Sequence, residues 1–219
     1  MPTAAAALAR KARLFPIRRT IVLDIAERII VTIIFGEFAA VSLQSCWRSP
    51  SLYVLLLLLS EALPFALILI RKPSSTVSNR PSDWLVSLSG SVFPLLIVPA
   101  PAAPMLPGAV CIWIIMTGMF VQLSAKIVLG VSFGIVPANR GVRTLGPYRF
   151  VRHPMYAGYT LTHVGLLLAM PSALNAVLYA AALAFQIART SREERILMRD
   201  PDYRAYAART RYKLLPFVL

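Results

Sequence analysis

The chain has 219 residues, 58% of them apolar and only 15% charged, with a mean hydropathy of +0.68, a balance far too apolar for an ordinary soluble domain. Its net charge of +14 does not mark a nucleic-acid binder. The basic residues are parcelled out between apolar runs and gather on no soluble face, so the charge reports membrane topology and attraction to anionic headgroups.

Runs of roughly 20 apolar residues cross the hydrocarbon core as helices. In chain order they fall at about 20–43, 51–70, 84–101, 107–129, 156–170 and 172–188. The first follows a basic N-terminus, as a signal peptide would. It is too long for one and carries Asp24, Glu27 and Arg28 near its start, so it reads as a retained helix. Asp24 and Arg28 are spaced as a helical pair near the interface. Glu37 and Glu61 fall inside the first two spans, where a carboxylate is costly; it is either hydrogen-bonded to a neighbouring helix or part of a substrate or proton path. Residues 99–107, rich in Pro and Ala, form a stiff connector. The fifth run has 15 residues, which as a helix cover about 22 Å. The last two spans therefore read as a shallow hairpin turning at Pro171, in which Gly158, Thr162 and Gly165 serve close helix packing. The predicted fold class is all-α: a polytopic transmembrane bundle of five or six spans. Cys46 and Cys111 have neither metal-ligand nor disulfide spacing, and no metal site is expected.

Lys and Arg mark alternate loops: Arg10, Lys11, Arg13, Arg18 and Arg19 before the first span, Arg71, Lys72 and Arg80 after the second, Arg140, Arg143, Arg149 and Arg152 after the fourth, and a further run after the sixth. The opposite loops carry Arg48, which places both termini in the cytoplasm. The chain's small size and lack of an organelle signal suit a bacterial inner membrane.

The chemistry concentrates near the C-terminus. The loop over 126–154 holds Gly130, Gly134, Gly141 and Gly146 with Pro137, Pro147 and Pro154, a composition for irregular backbone that approaches a ligand closely. It ends in the stretch GPYRFVRHPMYAG, residues 146–158. There Pro154 opens a helix and sets His153 just before it. After the hairpin, Arg189 and Glu193 share one helix face, with Glu194, Leu197 and Met198 following. Asp200 and Pro201 then cap a last helix over 201–211 that presents Tyr203, Tyr206 and Ala207 on one side. Taken singly, His153 reads as a cap, Tyr148 and Tyr156 as interfacial anchors, and the Glu pair as a solvated face; together they read as a site.

These residues, with Asp202 and a closing Pro216, resemble the isoprenylcysteine carboxyl methyltransferase family and, more loosely, phospholipid N-methyltransferases and membrane sterol reductases. The resemblance runs from Leu123 to the C-terminus. It divides one membrane domain, 1–219, into N-terminal spans of unassigned role, 1–122, and a methyltransferase-like region, 123–219. It implies a cytosolic pocket for S-adenosylmethionine, open sideways to the bilayer for a lipidic or prenylated acceptor. By the same resemblance Arg140, Gly141, Val142, Arg143, Tyr148, His153, Pro154, Met155, Tyr156 and Glu193 contact the cofactor, and Arg189 faces the acceptor as substrate-binding and catalytic residue. Two positions depart from the family: Arg143 replaces a usual aliphatic residue, and Phe133 replaces a polar contact of some members.

Methyl transfer needs no metal and no covalent intermediate; positioning and exclusion of water dominate. Glu193 suits a positively charged cofactor moiety, and Arg189 suits a carboxylate held in a two-pronged grip. A carboxylate needs no base, whereas an amine must lose a proton and His163 lies deep in the fifth span. The residues therefore lean toward carboxyl O-methylation, with aminophospholipid N-methylation as the alternative. A nicotinamide-dependent reductase and a non-catalytic scaffold are the readings of other classes.

Overall fold

The structure is a computed structural model describing residues 4–48, 52–74, 76–96 and 102–214. The ends of the predicted third span and of its connector, and Pro216, lie outside the described residues. Among the described residues seven α-helices follow in order: α1 (Ala4–Arg48), α2 (Leu52–Ile70), α3 (Pro81–Val92), α4 (Gly108–Leu129), α5 (Pro154–Ala169), α6 (Ala173–Leu197) and α7 (Pro201–Arg209). Short 3₁₀ turns occupy Phe93–Leu96, Gly130–Ser132 and Gly146–Arg149. There is no strand among the described residues.

Among the described residues three stretches are long and apolar enough to cross a membrane: Thr20–Arg48, Gly108–Ser132 and Ala173–Leu197. The predicted five or six differ from this for local reasons. The apolar part of α2, Val54–Ile70, is shorter. α3 has 12 residues and gives way at Phe93 to a 3₁₀ turn containing Pro94, a residue that removes a helical donor and clashes with the preceding turn. α5 has 16 residues, about 24 Å. α5 and α6 do turn at Pro171, and Ser172 caps α6 by accepting the Asn175 N–H. The helix of the last predicted span, 172–188, runs on to Leu197 as α6 and carries its charged end onto the loop.

The closest helix pairing is α4 against α5. A Cβ on Gly118 would lie 2.5 Å from the Thr162 backbone nitrogen, and one on Gly158 would lie 2.6 Å from that of Gln122. Both distances are to backbone, which cannot rotate away. Small-residue packing at Gly158, Thr162 and Gly165 thus agrees with the sequence; Gly118, its partner on α4, completes the contact. Gly118→Val is expected to destabilise the protein by about 1–3 kcal/mol, the cost of overpacking, read as a lowered unfolding temperature in detergent.

One core joins both halves of the chain. Val31 and Phe35 of α1 and Leu67 and Ile68 of α2 pack with Phe133, Ile135, Tyr148, Met155 and Tyr156, and with Tyr203 and Tyr206 of α7. The polar loop after α4 is therefore seated on helices from the N-terminal half.

Candidate active site

The loop is held by a buried ionic cluster. Glu27 of α1 is 1% exposed. Its Oε1 accepts the Ile135 and Val136 N–H groups at 2.7 and 2.9 Å, and its Oε2 accepts from Arg140 Nη2 at 2.8 Å. Arg71 reaches Glu27 Oε1 at 2.9 Å and Asp24 Oδ1 at 2.9 Å. Arg28 pairs with Asp24 at 3.0 Å, as the spacing predicts. Glu27 and Arg71, which no sequence signal singles out as partners, join α1 to the chain after α2, and Glu27 also reaches the loop 108 residues further on.

Past this anchor the loop makes a cleft. Gly141 has φ +100°, a conformation that favours glycine, and it brings the chain back toward Ser132, whose hydroxyl donates to the Arg140 carbonyl at 2.9 Å. Arg143 donates to Ser132 Oγ at 3.2 Å. The 3₁₀ turn then buries Tyr148, and His153 precedes Pro154 with φ −130° and ψ 60°. His153 makes no side-chain cap bond. Its ring instead stacks on Tyr156 at 5.8 Å, with Nδ1 3.7 Å from Glu193 and Nε2 3.3 Å from Glu194. Glu193 Oε1 accepts from the Tyr156 hydroxyl and from Arg189 Nε, the latter at 3.0 Å.

Glu194 ties the C-terminal segment beneath. It lies 2.8 Å from Arg152 and 3.4 Å from Lys213. The Arg152 and His153 N–H groups donate to the Tyr212 and Lys213 carbonyls at 2.9 and 2.8 Å. Asp200 caps α7 and accepts from Asn139 of the loop at 2.6 Å. The Tyr206 hydroxyl donates to the Tyr148 carbonyl at 2.8 Å. Burial pushes the Tyr206 phenol up to about 12, so it stays a donor. Burial, then the Glu193 charge, likewise pushes Tyr148 up. Tyr206→Phe strands a buried carbonyl and is expected to cost about 1–3 kcal/mol, measurable by thermal unfolding.

Two cavities meet at this layer. The cleft, about 90 Å³, is lined by Arg140, Gly141, Val142, Arg143, Tyr148, His153, Met155, Tyr156 and Glu193, with Leu197, Tyr203 and Tyr206. All the residues expected to contact a cofactor are thus brought together except Pro154, which sits in the first turn of α5 behind the wall. The second cavity, about 360 Å³, is mostly apolar and runs along α5 from Tyr156 to Met170, about 21 Å of helix. Met155 and Tyr156 line both. Arg189 faces the second, with Nε on Glu193, Nη1 3.4 Å from Ser91 Oγ, Nη2 3.2 Å from the Gly134 carbonyl, and its guanidinium over the Tyr156 ring. Phe133 also belongs to the apolar cavity and not to the cleft. Glu37 is exposed on α1, whereas Glu61 lines the apolar cavity. Among the described residues no group of acids, histidines and cysteines is placed to hold a metal.

Membrane-length helices supporting a polar cleft that adjoins a long apolar cavity define a helical membrane protein with two neighbouring chambers. Residues 102–202, from the connector before α4 to the start of α7, match the phospholipid methyltransferase family. The match indicates a methyltransferase. No curated protein matches the chain.

Proposed function

We propose that this protein transfers the methyl group of S-adenosylmethionine to a lipidic acceptor at the cytosolic face of the membrane. The observation that carries the reading is the shared wall: Tyr156 and Met155 separate a polar cleft from an apolar cavity, so two ligands of opposite character meet there. The cleft's chemistry fits the cofactor. Glu193 offers a carboxylate for its ammonium or sulfonium charge, Tyr148 a neutral phenol donor, and the 140–143 backbone a close approach. S-adenosylmethionine supplies an electrophilic methyl on a sulfonium.

What the chain contributes is orientation and dryness. Fixing both partners in attack geometry is worth up to about 7–11 kcal/mol. The Tyr156–Glu193–Arg189 contacts fix the wall, and the aromatic lining keeps water out. The cleft is smaller than the roughly 300–1,000 Å³ of ordinary ligand pockets, so it has to widen to admit a nucleoside. Carboxyl O-methylation of an isoprenylcysteine-like lipid is supported by Arg189 at the cavity mouth. N-methylation of an aminophospholipid is favoured by the family matched over 102–202.

The test is calorimetric titration of the purified full chain with S-adenosylhomocysteine. We expect saturable binding, weakened about 10–100-fold in Glu193→Ala, the worth of a hydrogen bond to a charged group, and also weakened in a folded His153→Ala. Absence of binding to the wild type would overturn the reading, and saturable binding of a reduced nicotinamide cofactor in its place would favour a reductase.

A further inference from the structure

The acids of α1 and α2 face cations, with one exception. Asp24 and Glu27 hold arginines, and Glu61 lies beside the buried Lys126. Glu37 makes no hydrogen bond or ion pair among the described residues, and it is exposed. It is also deep. Arg28 and Arg48 bracket 20 residues of α1, about 30 Å of helix and the thickness of a hydrocarbon core, and Glu37 lies nine residues past the first of them. Lipid tails offer such a group nothing to bond, and an acid within a span is costly and marks function by default.

The face that carries Glu37 has a pattern. Ile33, Glu37, Ala40, Gln44 and Trp47 are all exposed and follow one another at intervals of four, three, four and three, the a and d positions of a heptad repeat. Half-buried Ala26 and Ile30 extend the series toward the N-terminus. Such a seam is the contact surface of two helices in a left-handed pair, the usual geometry between membrane helices. The protein's own interior does not use it, because Phe35 and Ser42, on the opposite face of α1, are the residues that line the apolar cavity.

The seam also names its partner. Copies of one chain cross the bilayer in one direction, so two α1 helices related by a two-fold axis along the membrane normal run parallel and bring each residue to its own twin. In a parallel pair a meets a and d meets d. Glu37 of one copy then faces Glu37 of the other, and Gln44 faces Gln44. Both contacts are self-complementary: two carboxyl groups sharing a proton donate and accept across the axis, and so do two carboxamides. Ala40 between them lets the backbones approach.

We propose that the protein forms a parallel homodimer in the membrane, joined along the Ile33–Trp47 seam of α1 with Glu37 bonded to its twin. The apolar cavity lies on the far side of α1, so the pairing is independent of the methyltransferase reading.

The experiment uses the full chain, labelled at its N-terminus and reconstituted in liposomes, with energy transfer between copies followed as the protein-to-lipid ratio is varied. We expect saturable self-association. Glu37→Leu should weaken it about 5–30-fold, the worth of a hydrogen bond between membrane helices, and Glu37→Gln, which keeps a donor and an acceptor, should hold it within threefold of wild type. Leucine suits a span, so Glu37→Leu tests pairing and not insertion. In a Cys46→Ser, Cys111→Ser background, oxidation of Ala40→Cys should give a disulfide-linked product of twice the chain mass, at least tenfold more than Ser45→Cys, which is exposed but turned away from the seam. Absence of self-association in the wild type, equal cross-linking at the two positions, or undiminished association of Glu37→Leu overturns the proposal. Cross-linking of Ala40→Cys in native membranes to a product of another mass would give the seam to a different protein and overturn it as well.

Discussion

Replacing Glu27 by alanine is expected to cost about 3–5 kcal/mol, the penalty for removing one partner from a buried ion pair, and to weaken S-adenosylhomocysteine binding with it. The carboxylate satisfies two backbone N–H groups and two guanidinium groups. Its loss leaves Arg71 and Arg140, both buried, sharing only Asp24, and strands two amides of the loop. Against a total stability of about 5–15 kcal/mol, that is a large fraction. The Asp24–Arg28 pair makes the contrast, because Arg28 is partly exposed and exposed pairs contribute only about 0–1 kcal/mol. Arg28 also donates to the Ile68, Leu69 and Arg71 carbonyls at the end of α2, so Arg28→Ala is expected to cost about 1–3 kcal/mol, still less than Glu27→Ala. Arg140 both anchors on Glu27 and lines the cleft, so the damage is transmitted to the site. Glu27→Met with Arg71→Met removes both charges together and should cost less than the sum of the single changes, a coupling of about 0.5–3 kcal/mol. Unfolding of Glu27→Ala within 1 kcal/mol of wild type would refute the argument.

Local features of this fold were legible in the sequence and distant pairings were not. Pro154 after His153, the Asp200–Pro201 cap and the Pro171 turn each act through their own backbone, and each lies where its local chemistry puts it. The last predicted span stops at Ala188 because Arg189, Arg192 and Arg195 follow it; the helix continues to Leu197 and the structure gives these charges partners, with Arg192 and Arg195 within 3.1 and 3.2 Å of the buried Asp83 of α3. The third predicted span is not confirmed among the described residues, where its helix gives way at Phe93 beside Pro94, a signal for a break already present in the sequence. Glu27 stood in the sequence only as an acid near the start of the first span. Its spacing of three from Asp24 put both on one face, but only folding brings that face against Arg71 and Arg140. The residues of the cleft were legible as a cluster, since most of them fall in one stretch ending at Tyr156, whereas the apolar chamber was not, because its walls come from α1 through α6.

Arg189→Ala is expected to lower kcat by about 100-fold, the loss that a misplacement of about 1 Å produces in an orientation-dependent reaction. Arg189 is the strut of the wall between the chambers. It braces Glu193 from one side while the Tyr156 hydroxyl braces it from another, and it spans from Ser91 at the end of α3 to the Gly134 carbonyl. Truncation removes the packed guanidinium from the Tyr156 face and opens the wall to water, which weakens every electrostatic contact at the site. Lysine is not equivalent, because one ammonium cannot reach three acceptors held in a fork and stack on a ring at once. Arg189→Lys should therefore recover stability but little turnover. The measurement is methyl transfer to acceptor-loaded nanodiscs, with S-adenosylhomocysteine affinity determined alongside. A fall in kcat with cofactor affinity changed less than tenfold places Arg189 in alignment of the two ligands. A fall of equal size in both would make it a cofactor-binding residue, and unchanged kcat would remove it from the site.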